Sequence, residues 1–344
     1  MLKQINLLSK KLNMSPKNLN VKKTPKLIID KLQNQRVHKL YRLFEKKFDI
    51  KDDFVVAVSG GPDSLALAFL TKIYSIKNNL RSKYLIVDHK LRKESTKETR
   101  KVQKILKSLS ISSEILTWRG KKPLKVTQSK ARDKRYELLY LKCKKLKIKN
   151  IILGHQIDDL FENFFIRMIR GSGLKGLVSF GEKTEINQLN LIRPLLGFNK
   201  KDLIFISSYV FNFFVSDPTN ENIQHSRIRI RKLISKFKDN GLDKNKLILT
   251  IKNLRSSNEA ISFYVKQNIE LNTFFNKKKN ELILNESFFY QPYEVVFRSF
   301  GESIKKIGKM HNLVRGRKIS DILKKYEENN LDKETLGGCL IKRV

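Results

Sequence analysis

The sequence predicts a doubly wound, mostly parallel α/β sheet followed by a mainly helical, basic C-terminal region, and three observations predict it. Between Phe54 and Ile192, short apolar or β-branched runs alternate with helical stretches. A glycine turn, Gly60-Gly61, directly follows the first of those runs. After Asp217-Pro218-Thr219-Asn220 the alternation stops and helices with basic outer faces take over. Strand–helix alternation at this spacing argues for right-handed crossovers and a parallel sheet covered on both faces.

Taken in order, Asn13 to Pro25 is a Lys/Asn/Pro stretch that reads as a loose arm, and Lys26 to Phe48 carries Leu27, Ile28, Leu32, Leu40, Leu43 and Phe44 near helical spacing, as one helix. Phe54–Val58, Tyr84–Val87, Ser113–Leu116 and Asn150–Leu153 read as buried parallel strands, with a fifth at Leu189–Ile192. Helical stretches lie near 63–76, 95–109, 129–147 and 158–170, and from Lys200 to Phe213. Beyond a boundary near 218–226, Arg227–Lys238 and Asp243–Gln267 read as helices; residues 280–344 are mixed, with a helix near 293–307 and a Gly337-Gly338 turn. The expected domains are therefore a basic N-terminal arm and helix at 1–50, an α/β domain at 51–220, and a basic C-terminal region at 221–344.

The chain has 344 residues, 40% of them hydrophobic, enough for a real core. Its 72 lysines and arginines face 33 acids, a net charge of +39 that self-repels unless a polyanion is near. Nucleic acid is the expected partner, through phosphate neutralisation and counterion release. An AT-rich coding bias would raise Lys, Asn and Ile, but would not by itself deplete the acids. Only Cys143 and Cys339 are present, which excludes a disulfide framework and suits a reducing cytoplasm. No apolar run approaches the roughly 18 residues of a membrane span. The N-terminus has Lys and Asn around scattered Leu instead of a signal-peptide core, so a cytoplasmic protein without a membrane is expected.

Chemistry concentrates in Ser59-Gly60-Gly61-Pro62-Asp63-Ser64, between the first strand and its helix. Strand, tight glycine turn and helix N-terminus together make an anion site: the glycines let backbone N–H groups approach phosphate, and the helix dipole favours negative charge. No Lys follows the second Gly as a Walker A loop requires; Asp63 stands at the helix start, to cap it or hold magnesium. The plainer reading is a helix cap with Pro62 at its first position. The loop's place after the first buried strand favours the phosphate reading.

This hexapeptide resembles the pyrophosphate loop of the PP-loop ATP pyrophosphatases, which cleave ATP to AMP and pyrophosphate. The remaining motifs are similar to those of one branch, the tRNA(Ile)-lysidine synthase family. Val87-Asp88-His89-Lys90-Leu91-Arg92 resembles V-D-H-x-L-R, and Gln128, Ala131, Arg132, Arg135 and Tyr136 resemble Q-x-x-A-R-x-x-R-Y. His155, Asp158, Asp159 and Glu162 resemble H-x-x-D-D-x-x-E, with Gln156, Leu160 and Asn163 in place of the more usual His, Gln and Thr. Arg170 to Leu177 matches R-G-S-G-L-x-G-L, and Arg193-Pro194-Leu195-Leu196 matches R-P-L-L. Asp217 to Asn220, then Arg227, Arg229 and Arg231, resemble D-P-[ST]-N and R-x-R-x-R, with Ile228 where Asn is common; Thr335 to Cys339 resembles a closing T-L-G-G-C.

The resemblance, spanning roughly 54–344, implies a Rossmann-like PP-loop fold and an ATP-dependent ligase that uses magnesium. Its reaction would join free L-lysine to the 2-carbonyl of the wobble cytidine of an isoleucine tRNA with a CAU anticodon. It implies that Ser59, Gly60, Gly61, Pro62, Asp63, Ser64, Asp88 and His89 bind ATP, and that Asp63 and Asp158 serve magnesium or catalysis. Asp159 and Glu162 would support lysine or metal, and Arg132, Arg135, Arg170, Arg227 and Arg231 would contact tRNA. A homodimer is compatible with it. Two other classes stay open: a PP-loop tRNA thiolase, whose sulfur chemistry normally needs paired cysteines, and a non-catalytic basic RNA-binding protein. For each motif a plain reading also stands: a turn at Asp88-His89, dipole complementation by Asp158, Asp159 and Glu162, and solvated Arg132 and Arg135.

Overall fold

Five parallel strands and one antiparallel edge strand build the central sheet of this computed structural model, which describes residues 25–92, 94–120, 128–186, 188–215, 226–310 and 313–343. The expected arm before Pro25 and the Asp217–Asn220 motif lie outside them. In chain order the first part runs α1 (Lys26–Leu32), α2 (Gln35–Lys47), β1 (Phe54–Val58), α3 (Pro62–Lys77), β2 (Ser82–Asp88), α4 (Ser95–Ser108), β3 (Ser113–Thr117) and α5 (Gln128–Leu146). Then come β4 (Asn150–Ile152), α6 (Ile157–Ile169), α7 (Leu174–Leu177), β5 (Lys183–Ile186), β6 (Leu189–Ile192), α8 (Lys200–Phe211) and α9 (Ser226–Asp239). The strand order is β3-β2-β1-β4-β6-β5, with only the β5–β6 pair antiparallel.

Alternation along β1 explains why the sheet needs helices on both faces. Phe54, Val56 and Val58 enter one core with residues of α2, α3, α4 and α8, whereas Val55 enters another with Leu139 and Cys143 of α5. Helix α3 is buried along most of its length; Leu65, Leu67, Phe69, Leu70 and Ile73 are fully covered. Each such side chain contributes about 1.5–3 kcal/mol on burial, so the start of α3 is held firmly against β1.

The single helix expected over Lys26–Phe48 is two. Asn34 stops α1 and starts α2, its side-chain oxygen accepting hydrogen bonds from the backbone N–H groups of Arg36 (3.0 Å) and Val37 (3.1 Å). The apolar spacing survives the break because Ile28, Val37, Leu40 and Phe44 all face the same core. The helix expected to reach Phe213 ends at Phe211, where Asn212 turns left-handed (φ 49°).

Contacts divide the molecule into two units: the described residues up to Gly171 with Ser179–Ser235, and Ser172–Val178 with the chain from Lys236 onward. The second unit holds α7, the long α10 (Lys244–Asn272), a hairpin β7 (Thr273–Asn276)–β8 (Glu281–Leu284), α11 (Tyr293–Ile307), α12 (Gly316–Glu327) and a hairpin β9 (Lys333–Leu336)–β10 (Cys339–Lys342). The two hairpins are additions to the mainly helical region expected there. Phe288, Val296, Phe300, Ile304, Ile319, Leu323 and Leu336 form its core. Gly337 (φ 61°) and Gly338 (φ 76°) make the two-residue turn of the last hairpin, a turn whose twist requires positive φ at both positions. No helix among the described residues is long and apolar enough to cross a membrane.

That turn packs on the end of α11 so closely that a Cβ on Gly308 would sit 1.9 Å from the Gly337 carbonyl oxygen. A Cβ on Gly301 would meet only the tip of Ile319, at 2.8 Å. Gly308→Ala is expected to destabilise the second unit by about 1–3 kcal/mol, the usual cost of overpacking, and Gly301→Ala by less. Denaturant midpoints of the two variants check the order.

Candidate functional site

The sheet winds outward from β1 through β2 to β3, then crosses to β4 on the other side, so the strand order reverses between β1 and β4. Loops leaving the carboxyl ends of these two strands part at such a point and open a crevice where α/β sheets bind ligands. The loop after β1 is Ser59–Ser64, and the loop after β4 leads through Gly154 and His155 into α6. Gly154 lets the two loops touch: a Cβ there would lie 3.1–3.3 Å from the backbone of Asp63 and Ser64.

Within the first loop Gly60 has φ 88°, a conformation that favours glycine. Ser64 Oγ accepts hydrogen bonds from the N–H groups of Ser59 (3.2 Å) and Gly60 (3.1 Å) and from Ser59 Oγ (3.2 Å), and donates to the Gly61 carbonyl (2.9 Å). Gly61 is the N-cap of α3, Pro62 takes its first position and Asp63 its first turn. The plain capping role and an anion-binding geometry therefore coexist in one turn.

Asp63 Oδ2 accepts a 2.7 Å bond from Lys200 Nζ, and its Oδ1 is buried without a hydrogen-bond partner. Burial pushes the Asp63 carboxyl above the ordinary carboxylate range; Lys200 pulls it back, Asp159 adds to the rise and Arg231 opposes it. Lys200 escaped the sequence reading. Its signal was position, because a cation in a helix's first turn opposes the helix dipole and calls for a compensating partner.

At the start of α6, Gln156 is the N-cap: its side chain accepts from the Asp158 N–H (2.9 Å), while Asp159 Oδ2 accepts from the Gln156 N–H (2.9 Å). Gln156 thus serves as a buried cap where the resemblance leads one to expect His. Glu162, one turn on, is buried and ion-paired with Arg231 Nε from α9. Burial disfavours the Arg231 charge, but Glu162, then Asp159 and Asp158, more than offset it and keep the guanidinium held charged. Asp63, Asp158, Asp159, Glu162, Lys200 and Arg231 form one electrostatic cluster, with four carboxylates against two cations.

A second group lies at the end of β2. Asp88 is buried, and its oxygens accept from the Lys90 N–H (2.9 Å), Ser95 Oγ (2.9 Å) and Thr96 Oγ1 (2.7 Å). Burial raises its pKa, but those hydrogen bonds together outweigh burial and hold the carboxyl below its ordinary range. Asp88 is turned toward its own loop and the start of α4. His89 accepts from Arg135 Nε at 3.3 Å and packs edge-on against Trp118, with ring centroids 6.3 Å apart. Arg132 lies over the Tyr136 ring, 5.1 Å from its centroid, and donates to its hydroxyl.

The other expected positions separate. Arg170 is exposed at the far end of α6, roughly 18 Å along the helix from Asp158 at 1.5 Å per residue. Arg227 lies in α9 with its side chain outside the described ones. Arg193 is buried beside the sheet, bonded to the Gly181 carbonyl and Thr184 hydroxyl at 2.8 Å each, where it ties β6 to β5. Among the described residues no group of three or more His, Cys, Asp or Glu preforms a metal cage. Magnesium needs none, since it keeps waters and is bound through one or two carboxylates plus phosphates. Asp63, with its buried free oxygen, suits that donor set.

Burial lowers the His89 pKa from 6.5 to about 4, with help from Arg135 and against the pull of Asp88. The unfolded chain takes up this proton near pH 6.5 and the folded chain only near 4. Folding stability is therefore lost as pH falls through that window and is fully present above it. Relative to a His89→Gln variant, the wild type is expected to lose stability between pH 6.5 and 4. Proton NMR of the imidazole should give a midpoint near the lower value.

Comparison with known proteins adds four likenesses. Residues 32–237 match the family described as PP-loop domain. The tRNA(Ile)-lysidine synthase of Wolbachia from Brugia malayi is 31% identical over 308 residues, 86% of this chain and 71% of that protein. The synthase of Bradyrhizobium diazoefficiens is 35% identical over 209 residues, 60% of this chain and 58% of that protein. Among solved structures, the U34-tRNA thiolase NcsA from Methanococcus maripaludis, with its [4Fe-4S] cluster, superposes with a TM-score of 0.55 at 15% identity. It covers 64% of this chain and 78% of that one, and so bears on the fold alone.

Proposed function

The chain belongs to the PP-loop domain family and, within it, to the tRNA(Ile)-lysidine synthases, and from that premise we propose that it forms lysidine in tRNA. The reaction joins the ε-amine of free lysine to C2 of the wobble cytidine in the isoleucine tRNA with a CAU anticodon. ATP is cleaved to AMP and pyrophosphate through an adenylated cytidine, and codon reading changes from AUG to AUA. The observation that carries this reading is the meeting of the Ser59–Ser64 loop with the acidic start of α6 at the switch point, reached by Lys200 and Arg231.

The chemistry explains each part. An amide-like carbonyl oxygen is a poor leaving group and has to be activated before an amine can displace it. The Ser59 and Gly60 amides, now turned to Ser64 Oγ, are donors that phosphate oxygens can compete for. Lys200 supplies positive charge beside the loop, where the leaving pyrophosphate builds negative charge. Magnesium, held by Asp63 with Asp158, would neutralise phosphate charge. Asp159 and Glu162 supply negative charge for the substrate ammonium, and a carboxylate within reach can take its proton before attack. Arg132, over Tyr136, and Arg135, beside His89, together with Arg170, Arg227 and Arg231, are assigned to the tRNA. The wobble base has to leave the anticodon stack to reach the crevice. We assign 51–220 to catalysis, with α9 joining it through Arg231, the remainder of 221–344 to the tRNA, and residues 1–50 to an arm and helices. The setting is the cytoplasm, where two free thiols persist.

The thiolase alternative has only the shared fold in its favour. A [4Fe-4S] cluster draws on as many as four Cys thiolates, and this sequence has two cysteines. Incubation of a tRNA(Ile) transcript with ATP and radiolabelled lysine, followed by digestion, is expected to yield a lysine-bearing cytidine. ATP consumption without lysine incorporation overturns the reading, and incorporation of sulfur restores the thiolase. Exchange of pyrophosphate into ATP should require tRNA but not lysine.

Charge at the loop makes a finer expectation. Asp63→Asn should lower lysine incorporation about 10²–10³-fold, the scale of removing one preorganised electrostatic group. Lys200→Met should raise the KM for magnesium–ATP with little change in the KM for lysine, and Lys200→Arg should restore most of it. Steady-state kinetics with each substrate varied in turn separate these outcomes.

A further inference from the structure

The second unit carries an apolar surface that its own core does not explain. In the β7–β8 hairpin, Phe274 pairs with Ile283 across the strands, so the two side chains share one face. That face is open: Phe274 is 66% exposed and Ile283 53%. The opposite face is the one the molecule uses. Leu284 packs against the core of the unit, and Lys306 lies over the Phe275 ring. Folding therefore accounts for Phe275 and Leu284 but leaves Phe274 and Ile283 without a role.

The turn beside them is Lys277-Lys278-Lys279-Asn280, all exposed, and none of its lysines is ion-paired with a described residue. Asn276 shapes this turn by accepting from the Lys278 N–H at 3.1 Å. Glu281, opposite Asn276, is the single carboxylate of the tip. Three unpaired lysines at the edge of an apolar pair disfavour a second copy of the same surface by like-charge repulsion. An aromatic face bordered by cations is instead the arrangement that binds unpaired nucleotides, with bases stacking on the ring and phosphates meeting the lysines.

We infer that the β7–β8 hairpin is an RNA-binding element that stacks an unpaired base on Phe274, against Ile283, and holds the adjoining phosphates with Lys277, Lys278 and Lys279. The inference rests on the tRNA reading above, but it assigns a surface remote in sequence from the loops of the nucleotide crevice. It divides binding into an uncharged part and a charged part, and the two respond differently to salt.

The test uses the full chain and a tRNA(Ile) transcript, with affinity measured by fluorescence anisotropy at several salt concentrations. Phe274→Ala should weaken binding about tenfold, the scale of one lost base stack, with the slope of log affinity against log salt unchanged. Phe274→Trp should keep wild-type affinity. The triple change Lys277→Ala, Lys278→Ala, Lys279→Ala should instead flatten the slope, by about 0.7–0.9 per lost phosphate contact. Unchanged affinity in Phe274→Ala overturns the proposal, as does an equal loss in Phe274→Trp, or a loss accompanied by dissociation of a dimer in sedimentation. An equal loss on a fully paired RNA duplex overturns the assignment to unpaired bases. Failure of the wild type to bind tRNA at all would sink the lysidine reading as well, and is distinguishable from these outcomes.

Discussion

The rest of the first unit depends on one close backbone contact. Because the strand order reverses between β1 and β4, their exit loops diverge, and a crevice forms whatever the side chains are. What decides its contents is how nearly the loops meet before they part. Gly154 has no side chain to hold them apart, so the exit of β4 lies against the backbone of Asp63 and Ser64. Two helix N-termini, those of α3 and α6, then begin beside the same space. Each brings the partial positive charge of its unpaired N–H groups, and each brings acids in its first turn. The buried length of α3 keeps this arrangement from relaxing, since its start cannot shift without moving side chains packed on β1 and α8.

Charge is distributed against the average of the chain. In a protein with 72 basic and 33 acidic residues, the cluster at the crevice sets four carboxylates beside two cations among the described residues. The general excess attracts a polyanion over a distance of about a Debye length, 8 Å at physiological salt. The crevice asks for the opposite, since phosphates entering an acid-rich space need cations brought in with them. A nucleotide complexed with a divalent cation satisfies both demands, and a bare phosphate does not. The long-range field and the local site thus select different features of the substrates in the proposed reaction, the RNA backbone and the metal-bound triphosphate.

Much of this was legible in the sequence because buried parallel strands and glycine loops leave strong local signals. Phe54–Val58 and Leu189–Ile192 are legible to the residue: the first is an unbroken apolar run, and the second is apolar except for Asn190, each between polar flanks. The break at Asn34 was missed because periodicity measures which face a residue takes, and α1 and α2 present the same face to one core. Strand β5 and the β7–β8 hairpin were missed for the opposite reason. Each strand is only four residues long; β5 carries Lys and Glu at the sheet edge, and the apolar residues of β7 and β8 run together as Phe274-Phe275 and Leu282-Ile283-Leu284, without a period of two to mark a strand. Lys200 was hidden by composition: in a chain this rich in lysine, one more carries no signal until its helix position is considered.

The structure also separates motif residues that build from those that can react. Asp88 spends its oxygens on its own loop, Arg193 on joining two strands, Gly337 on a turn, and Asp159 gives one oxygen to the α6 cap. Glu162 differs, because a buried carboxylate is costly unless a cation stays with it. Its cation is Arg231, supplied by a helix that begins after the α/β pattern has ended. Loss of Arg231 would leave Glu162 charged and buried, or force it to take a proton, and either change would be felt by Asp159 and Asp63 through the same cluster. The basic helix α9 is therefore tied electrostatically to the nucleotide crevice. A substrate that moved α9 would alter the charge of the place proposed to take the phosphates.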